Sequence, residues 1–331
     1  MIDGSQGNKL KAAIIGLGKV GLIFDEELER KKSGEVWTHF TAYQKLAHLY
    51  ELVAVVDPDE GKHEIAKSRK PDLNCFRSVQ EMLSFCDSGI DVVSICTPVL
   101  FHLSCLEQLI GKVKAVFLEK PMCELDELEK AEEVVGKLKE SGTCIRINYY
   151  KQKEPLFKDA IAFLKGETIH YMSAKYSGPF EAVGSHALNL LVACSQELGV
   201  LQARSHRAVE GYGVSAQFQI EGDWGAVLSY CGLRHSLIFE LDIISENKRT
   251  VLEDNFSVLR SYSYQKSRRY QDYRELALCD QKKTPPEFQR FTEFLEELAY
   301  EIEGGSNNYD NLNDSMRTLQ IMRHLKRECY E

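Results

Sequence analysis

The feature that most constrains the fold is a glycine-rich stretch that directly follows the short apolar run LKAAII, residues 10–15. It reads G-x-G-x-x-G and comprises Gly16, Leu17, Gly18, Lys19, Val20 and Gly21. In a strand–turn–helix unit, the first glycine permits a tight turn, the second lets the backbone approach a pyrophosphate, and the third allows close helix–strand packing. The N–H groups at the start of the helix favour the negative phosphates. The pattern predicts a dinucleotide-binding unit with these six residues as cofactor contacts.

An acidic residue follows the second apolar run, as a dinucleotide-binding unit requires. Asp57 comes directly after Leu52–Val56, where a carboxylate binds ribose hydroxyls and repels a 2′-phosphate. The next three residues include no arginine, so the sequence favours NAD over NADP. Asp57 lies 36 positions after Gly21, beyond the usual spacing of about 20. We interpret the charged segment 25–36 as a surface insertion before a helix capped by Thr38, either a tolerated loop or a flap near the cofactor.

Composition excludes several classes of protein. The chain has 331 residues and a net charge of -9, which argues against a nucleic-acid-binding surface. Its apolar runs are shorter than the roughly 20 residues of a membrane span, and its first residues lack the apolar core of a secretory signal. Ten cysteines are scattered without a C-x-x-C pair. We therefore expect a cytoplasmic protein without disulfides, membrane segments or a zinc site.

Strands and helices alternate through the first half of the chain. Apolar runs IDVVSICTP, AVFLEKP and TCIRINYY are separated by helical patterns, including ELDELEKAEEVVGKLKESG. This alternation predicts an α/β fold with a Rossmann-type, doubly wound parallel sheet in a first domain at residues 1–148. Ligands of such sheets bind at the carboxyl ends of the strands.

The second half reads as a different kind of domain. Strand-like segments bounded by Gly, Asn or Asp recur from residue 167 to residue 255. Two helical segments follow, at residues 285–304 and 311–328. We expect a C-terminal α/β domain at residues 149–331, which binds substrate and mediates oligomerisation.

The ordered motifs GLGKVG, VVDPD, ICTPVLFH, LEKPM and GSHALNLL together resemble the glucose-fructose oxidoreductase, inositol dehydrogenase and MocA family. The resemblance covers nearly the whole chain, and Glu-Lys-Pro after an apolar strand is its most specific element. It implies a nicotinamide-dependent enzyme acting on sugars, nucleotide sugars or polyols, with a large, open, mostly antiparallel sheet in the second domain. It also implies that Thr97, Pro98, His102 and Glu119 lie near the cofactor.

Two residues are the candidates for chemistry. Hydride transfer from an alcohol carbon requires a group that takes the hydroxyl proton and a cation that stabilises the developing charge on oxygen. In the family that the chain resembles, the lysine matching Lys120 lies between nicotinamide and substrate, and burial would lower its pKa. His186 is the expected base, since an imidazole titrates near neutral pH. A structural ion pair of Lys120 with Glu119 and a buried capping role for His186 are the alternatives.

One departure from the family weakens the inositol dehydrogenase assignment. Polyol dehydrogenases of the family usually have an aspartate four residues before the histidine, where this chain has Ala182. A carboxylate there would orient the imidazole, so Glu181, Asn189 or a tyrosine would have to replace it. Glu181, Asn189, Tyr149 and Lys120 are predicted to bind substrate. Some members of the family use a tyrosine instead of the histidine, and Tyr149, Tyr150 and Tyr176 are the alternative candidates for that role.

Two functions compete on this evidence. The first is an NAD-dependent dehydrogenase of a carbohydrate, and the second is a non-catalytic NAD(H)-binding sensor or scaffold of the same fold. Retention of Lys120 and His186 favours the enzyme. A large sheet with one uncovered face predicts a homodimer or homotetramer assembled through that face.

Overall fold

The computed structural model describes residues 9–26, 36–85, 89–195, 199–208, 211–219, 225–233, 236–285, 291–305 and 311–330. Most of the insertion, residues 27–35, lies outside these ranges, as does the start of the predicted helix at 285–304. The chain divides into two compact units. The first comprises Met1–Asn148 with Gln289–Leu312, and the second comprises Tyr149–Phe288 with Asn313–Glu331.

The first unit contains a six-stranded sheet whose neighbouring strands all run parallel. Its order, β3-β2-β1-β4-β5-β6, is that of a doubly wound dinucleotide-binding fold, which confirms the predicted fold class. The four strands β1, β2, β4 and β5 are largely buried apolar runs, as expected of strands covered on both faces. The strands are β1 Leu10–Ile15, β2 Tyr50–Val56, β3 Asn74–Phe76, β4 Val92–Ile95, β5 Ala115–Leu118 and β6 Cys144–Ile147.

Helices connect these strands. The longest connecting helix, α5, has apolar residues at helical spacing on its buried side and ends at Gly142, whose φ of 70° fits a left-handed cap. The connecting helices are α1 His39–Lys45, α2 Glu60–Arg69, α3 Val79–Phe85, α4 His102–Leu109 and α5 Leu128–Ser141. Short 3-10 turns cover Ile23–Glu26, Val99–Phe101 and Leu125–Glu127.

A late helix also belongs to the first unit. Helix α8, Thr292–Ile302, buries the ring of Phe294 against Phe117 of β5, with ring centroids 5.4 Å apart. The Tyr50 hydroxyl donates a hydrogen bond to the Leu295 carbonyl at 2.5 Å. The sequence placed this helix in a continuous second domain at residues 149–331, because an amphipathic pattern identifies a buried face without identifying the sheet that covers it.

The second unit contains an eight-stranded sheet of order β14-β13-β12-β11-β7-β10-β9-β8. All neighbouring pairs are antiparallel except β7 and β10, so the predicted large, mostly antiparallel sheet is confirmed. The strands are β7 Ile169–Tyr176, β8 Gly199–Ala208, β9 Gly211–Gln219, β10 Gly225–Tyr230, β11 Phe239–Ser245, β12 Lys248–Glu253, β13 Val258–Lys266 and β14 Arg274–Lys283.

The helices of the second unit are α6 Pro155–Phe163, α7 Ser185–Cys194 and the terminal α9 Asn311–Tyr330. A 3-10 helix, Tyr150–Lys153, precedes α6, and a π-helix, Phe180–Gly184, precedes α7. Side chains alternate between buried and half-buried along β11, the pattern of a sheet with one covered face. Among the helices that the structure describes, none is both long and apolar enough to cross a membrane.

Candidate functional site

The glycine turn lies at the carboxyl end of β1, between β2 and β4. Gly16 has a φ of 94°, and a Cβ on it would lie 2.7 Å from backbone atoms of Cys96 and Thr97. A Cβ on Gly21 would lie 2.1 Å from the carbonyl oxygen of Gly16. Both positions therefore require glycine, because the chain after β1 folds tightly against the end of β4 and against itself.

Gly18 has a different reason to be glycine. A Cβ on Gly18 would meet no described atom within 4 Å, so this part of the turn faces open space. The carbonyl of Gly18 accepts hydrogen bonds from Leu22 and Ile23, which curls the chain into a turn. Within the described residues, the backbone N–H groups of Gly18, Lys19 and Val20 donate no hydrogen bond. An exposed row of N–H groups without a side chain above it suits a phosphate.

Asp57 closes the turn from the end of β2. Its Oδ2 accepts a 2.8 Å hydrogen bond from the backbone N–H of Leu17, and its Oδ1 accepts one from Asp59 at 3.0 Å. Lys62, on α2, lies 3.2 Å and 3.3 Å from the two carboxylate oxygens. The sequence prediction considered arginine alone and missed this lysine, which helical periodicity places one turn after the N-cap residue Asp59.

The two ends of the insertion meet beside the glycine turn. Asp25 accepts hydrogen bonds from the Thr38 hydroxyl and from the backbone N–H of Trp37. Thr38 in turn accepts from the N–H of Thr41 at 3.2 Å, so the predicted N-cap of α1 is confirmed. The N–H of His39 donates to the carbonyl of Val20 at 2.9 Å. Helix α1 therefore begins against the glycine turn even though the insertion separates them in sequence.

Glu119 is the first residue after β5, and its carboxylate is buried. Oε1 lies 3.0 Å from His39 Nε2 and accepts a 2.6 Å hydrogen bond from Asn148 Nδ2, at the end of β6. Burial alone would raise the pKa of Glu119, but the hydrogen bonds from His39 and Asn148, together with the charge of Lys120, outweigh it and lower the pKa. Glu119 is therefore held as a carboxylate.

Lys120 follows at the same edge of the sheet, joined to Pro121 by a cis peptide bond. Burial lowers the pKa of the Lys120 ammonium group, and the charge of Glu119 offsets part of this effect. The hydrogen bonds of the Glu119 carboxylate to His39 and Asn148 mean that Glu119 is not dedicated to an ion pair with Lys120. A lysine with a lowered pKa gives up its proton more readily than an exposed lysine.

His102 connects the two loops after β4 and β5. Its Nδ1 lies 2.8 Å from the Pro121 carbonyl oxygen, and its Nε2 lies 2.9 Å from that of Thr97. The residue is buried, which lowers the pKa of the imidazole. Both ring nitrogens thus lie within hydrogen-bond distance of main-chain carbonyl groups, so His102 connects the loops that carry Thr97 and Pro121.

In the second unit, His186 lies in the first turn of α7, directly after the π-helix that contains Ala182. Single-turn π-helices are frequent at functional sites. The imidazole lies edge-on to Tyr149 and Tyr150, with ring centroids 5.4 Å and 5.1 Å away. The structure therefore brings the predicted base together with two of the predicted tyrosines.

Two other predicted substrate contacts have structural partners in the second unit. Asn189 is 1% exposed; its Oδ1 accepts a 2.7 Å hydrogen bond from Gln152, and its Nδ2 donates to Thr318 at 3.0 Å. Glu181 lies at the surface, with its carboxylate 2.5 Å from Lys326. Asn189 thus ties α7 to α9 and to the 3-10 helix before α6.

The fold and its glycine edge define a two-domain α/β protein whose first domain is of the dinucleotide-binding class. Residues 10–149 match a family model described as the oxidoreductase family with an NAD-binding Rossmann fold, GFO_IDH_MocA. This matched segment is less than half of the chain, and the family is the one that the motifs of the chain resemble, which confirms the resemblance.

Relatives extend this finding. Over 154 residues, the chain is 27% identical to scyllo-inositol 2-dehydrogenase (NAD(+)) of Bacillus subtilis (strain 168), a match that spans 46% of this chain and 39% of that protein. The fold of nearly the whole chain is shared with UDP-N-acetylglucosamine 3-dehydrogenase GnnA from Acidithiobacillus ferrooxidans, with 17% identity, a TM-score of 0.73, and coverage of 97% and 98%.

A second solved structure has the same fold. It is a variant of KijD10, a 3-ketoreductase from Actinomadura kijaniata, in complex with TDP-benzene and NADP. The identity is 15%, the TM-score 0.74, and the coverage 97% of this chain and 98% of that chain.

Proposed function

We propose that the protein is a nicotinamide-dependent oxidoreductase that transfers hydride between the cofactor and a hydroxyl-bearing carbon of a sugar, nucleotide sugar or polyol. The observation that carries this proposal is the carboxyl edge of the first sheet. There, Gly18 leaves backbone N–H groups open, and Lys120, with its lowered pKa, follows β5 at the same edge. A phosphate-binding turn and a perturbed lysine at one sheet edge favour chemistry on a bound dinucleotide.

The residues at this edge fit a dinucleotide. The N–H groups of Gly18, Lys19 and Val20 would receive the pyrophosphate, and Asp57 would receive the ribose hydroxyls. Thr97, Pro98 and Glu119 would line the nicotinamide end, as the family resemblance implies. When bound, the nicotinamide supplies the hydride acceptor or donor. Asp57 supports NAD, while Lys62 beside it is a cation that could accept a 2′-phosphate, so we propose NAD and test NADP directly.

Lys120 and His186 are the proposed catalytic residues. Lys120 would stabilise negative charge on the reacting oxygen and relay its proton, because burial brings its pKa down. His186 would act as the base that accepts the hydroxyl proton. With Ala182 in place of an acid, the packing of Tyr149 and Tyr150 against the imidazole would contribute to the orientation of His186. Tyr149, Asn189 and Glu181 remain proposed substrate contacts. Tyr149 has the most support, because its ring packs against His186.

The proposed substrate class rests on the family match and on the relatives, whose names include an inositol dehydrogenase and a UDP-sugar dehydrogenase. The test has two stages. Fluorescence titration with NADH and NADPH first establishes cofactor binding. Absorbance at the nicotinamide band then follows turnover with a panel of UDP-sugars, free sugars and inositols, using Lys120→Ala as the matched control. Turnover that Lys120→Ala abolishes supports the proposal.

A non-catalytic NAD(H) sensor is the second candidate, and Ala182 is the observation that favours it. It predicts that NADH binds but that no member of the panel is oxidised or reduced. It also predicts that Lys120→Ala leaves binding of cofactor and of any sugar ligand unchanged. That combination of results would replace the enzyme with the sensor.

We also propose a cytoplasmic homodimer or homotetramer. The described cysteines are free thiols, and the half-buried face of the large sheet is the proposed subunit contact. Asp242 and Arg249 form an ion pair with a 2.6 Å contact on neighbouring strands. Both are half-buried and each is next to a buried residue in its strand, so we assign them to that face. Sedimentation equilibrium tests the assembly, and a monomer at micromolar concentration would contradict it.

A further inference from the structure

A buried chain of hydrogen bonds runs through the first unit and ends on Glu119. The Tyr43 hydroxyl lies 2.9 Å from Ser94 Oγ, and Ser94 Oγ lies 3.0 Å from His39 Nδ1. On the other side of the ring, His39 Nε2 lies 3.0 Å from Glu119 Oε1. His39 and Ser94 are fully buried, and Tyr43 is 2% exposed. The chain therefore joins α1, the middle of β4 and the end of β5 without reaching solvent.

The chemistry of the partners fixes the direction of these hydrogen bonds. Burial raises the pKa of the Tyr43 phenol, so the phenol stays protonated and donates a hydrogen bond to Ser94. The single hydroxyl hydrogen of Ser94 then points to His39 Nδ1. A carboxylate can only accept, so His39 Nε2 carries the hydrogen that faces Glu119. Assigned in this way, each group donates toward Glu119, and the imidazole has one tautomer.

The surroundings of His39 make this arrangement costly to disturb. The imidazole packs against Phe117, with ring centroids 4.7 Å apart, and against Phe291 at 5.3 Å. A buried carboxylate without its donor is penalised by desolvation, which favours the protonated acid.

We propose that His39 is a positioning residue: the Tyr43–Ser94 pair fixes its tautomer so that the Nε2–H group holds Glu119 ionised next to Lys120. The inference deepens the proposed function and rests on it in one respect, which is that Lys120 takes part in the chemistry. Glu119 in turn favours the protonated form of Lys120, since its negative charge opposes the effect of burial on the ammonium group.

Four titratable groups face Glu119 from the elements packed around it. They are His39 on α1, Cys96 after β4, His102 on α4 and Lys120 beside it in the chain. Burial and the charge of Glu119 raise the pKa of Cys96, so Cys96 stays a neutral thiol. His102 is held by two carbonyl groups. Of the four, His39 is the group that donates a hydrogen bond to Glu119.

Two matched substitutions of His39 distinguish the loss of the Nε2–H donor from the loss of the imidazole ring. A glutamine amide nitrogen can replace Nε2 and still donate to Glu119, whereas an asparagine amide nitrogen replaces Nδ1 and cannot. Neither His39→Gln nor His39→Asn titrates, so the titration of histidine itself cancels when the two variants are compared. Unfolding of the first unit is followed in urea by the fluorescence of Trp37 in a Trp224→Phe background.

The expected result depends on pH with a definite sign. In His39→Asn the pKa of Glu119 should be higher than in His39→Gln, because one donor to the carboxylate is lost, so the stability of His39→Asn relative to His39→Gln should fall as pH increases. In His39→Gln the pKa remains low. The difference in urea midpoint should therefore widen from about pH 4 to about pH 7. In a Glu119→Gln background the difference should be constant across this range.

With wild-type Glu119, a difference in urea midpoint between His39→Gln and His39→Asn that does not change with pH would overturn the proposal. It would mean that His39 only fills space. Should His39→Asn fail to fold, Ser94→Ala replaces it. That variant removes the donor to Nδ1, and it should show the same dependence on pH with a smaller amplitude. No dependence on pH in Ser94→Ala would equally contradict the proposal.

A second measurement connects the network to Lys120 without substrate or cofactor. Trace acetylation with acetic anhydride, read by peptide mass spectrometry, compares the reactivity of Lys120 with that of a surface lysine. Reactivity should rise severalfold in His39→Asn and Glu119→Gln, and should stay unchanged in His39→Gln. Because neither measurement needs turnover, failure of the proposed function and failure of this inference give different results.

Discussion

The backbone N–H of Leu17 donates a 2.8 Å hydrogen bond to Oδ2 of Asp57. This contact joins the turn after β1 to the end of β2, so one carboxylate both shapes the glycine turn and defines the ribose end of the proposed cofactor site. Lys62 binds the same carboxylate from α2. The three residues together suggest how cofactor choice can be measured.

Asp57→Ala should weaken NADH binding by about tenfold to a hundredfold, because a hydrogen-bonding anion at the ribose end is lost. NADPH binding should weaken less, since repulsion of a 2′-phosphate is removed at the same time. Lys62→Ala should have the opposite preference and weaken NADPH more than NADH. Fluorescence titrations of both variants with both cofactors check this, and equal losses for the two cofactors would exclude a role in specificity.

Gly18→Ala and Gly21→Ala should separate binding from stability. A methyl group at Gly18 meets open space, so the free energy of unfolding should be unchanged while NADH affinity falls, because the methyl occupies the side of the turn that faces the phosphates. At Gly21 the methyl would lie 2.1 Å from the Gly16 carbonyl oxygen, and unfolding should become easier by about 1–3 kcal/mol. Urea unfolding and NADH titration of both variants measure the contrast. A stable Gly21→Ala protein would contradict the packing described for this turn.

Lys120→Ala should reduce turnover by about 10²- to 10⁴-fold, the usual contribution of a positioned proton-transfer group. NADH affinity should stay close to that of the wild type. Lys120→Arg keeps the charge without the capacity to lose it, so it should recover substrate binding but not turnover. Steady-state kinetics with the best substrate of the panel tests both variants, and full activity in Lys120→Arg would assign the lysine a purely electrostatic role.

Glu119→Gln should show how the network contributes to stability as pH changes. The pKa of Glu119 is lowered in the folded protein, so its ionised form stabilises the fold above about pH 4.5, and this contribution is lost as pH falls through the lowered pKa. The wild type should therefore exceed Glu119→Gln in urea midpoint at neutral pH and lose that advantage in acid. A difference that grows in acid would reverse the sign and contradict the assignment of an ionised Glu119.

Asn189→Ala should destabilise the second unit by about 1–3 kcal/mol, because Gln152 and Thr318 would both lose a buried partner. NADH binding should not change. Hydrogen exchange in α7 and α9 reports the local loss, while the KM for the best substrate reports any direct contact. A raised KM without a loss of protection would support the substrate contact that the sequence predicts at Asn189.

The sequence predicts the first unit well because its signals are local. A buried parallel strand is an apolar run, and the ligand edge follows from where such runs end. Gly16 to Gly21, Asp57, Glu119 and Lys120 are all found by this rule. The same rule extended to β6 would have identified Asn148, which comes directly after TCIRI and contacts Glu119.

Other features are not encoded locally. The outer strand β14 is exposed or half-buried along its whole length, so it lacks the apolar alternation that identifies a strand, and both β13 and β14 lie beyond the predicted strand-like segments at residues 167–255. His39 is the first residue of α1, but its partners Ser94 and Glu119 lie 55 and 80 positions away. No spacing rule predicts a hydrogen bond across three elements, because the order of strands in the sheet decides which of them meet.

The contact between Asp25 and Thr38 has a consequence for protein engineering. Asp25 and Thr38 are joined by a hydrogen bond, and the entropy of closing a chain between two joined points depends only weakly on the number of residues between them. We therefore expect the protein to tolerate a reporter domain or an affinity sequence inserted between Asp25 and Trp37. The hydrogen bonds of α1 to Asp25 and to the glycine turn would then still hold the start of the helix in place.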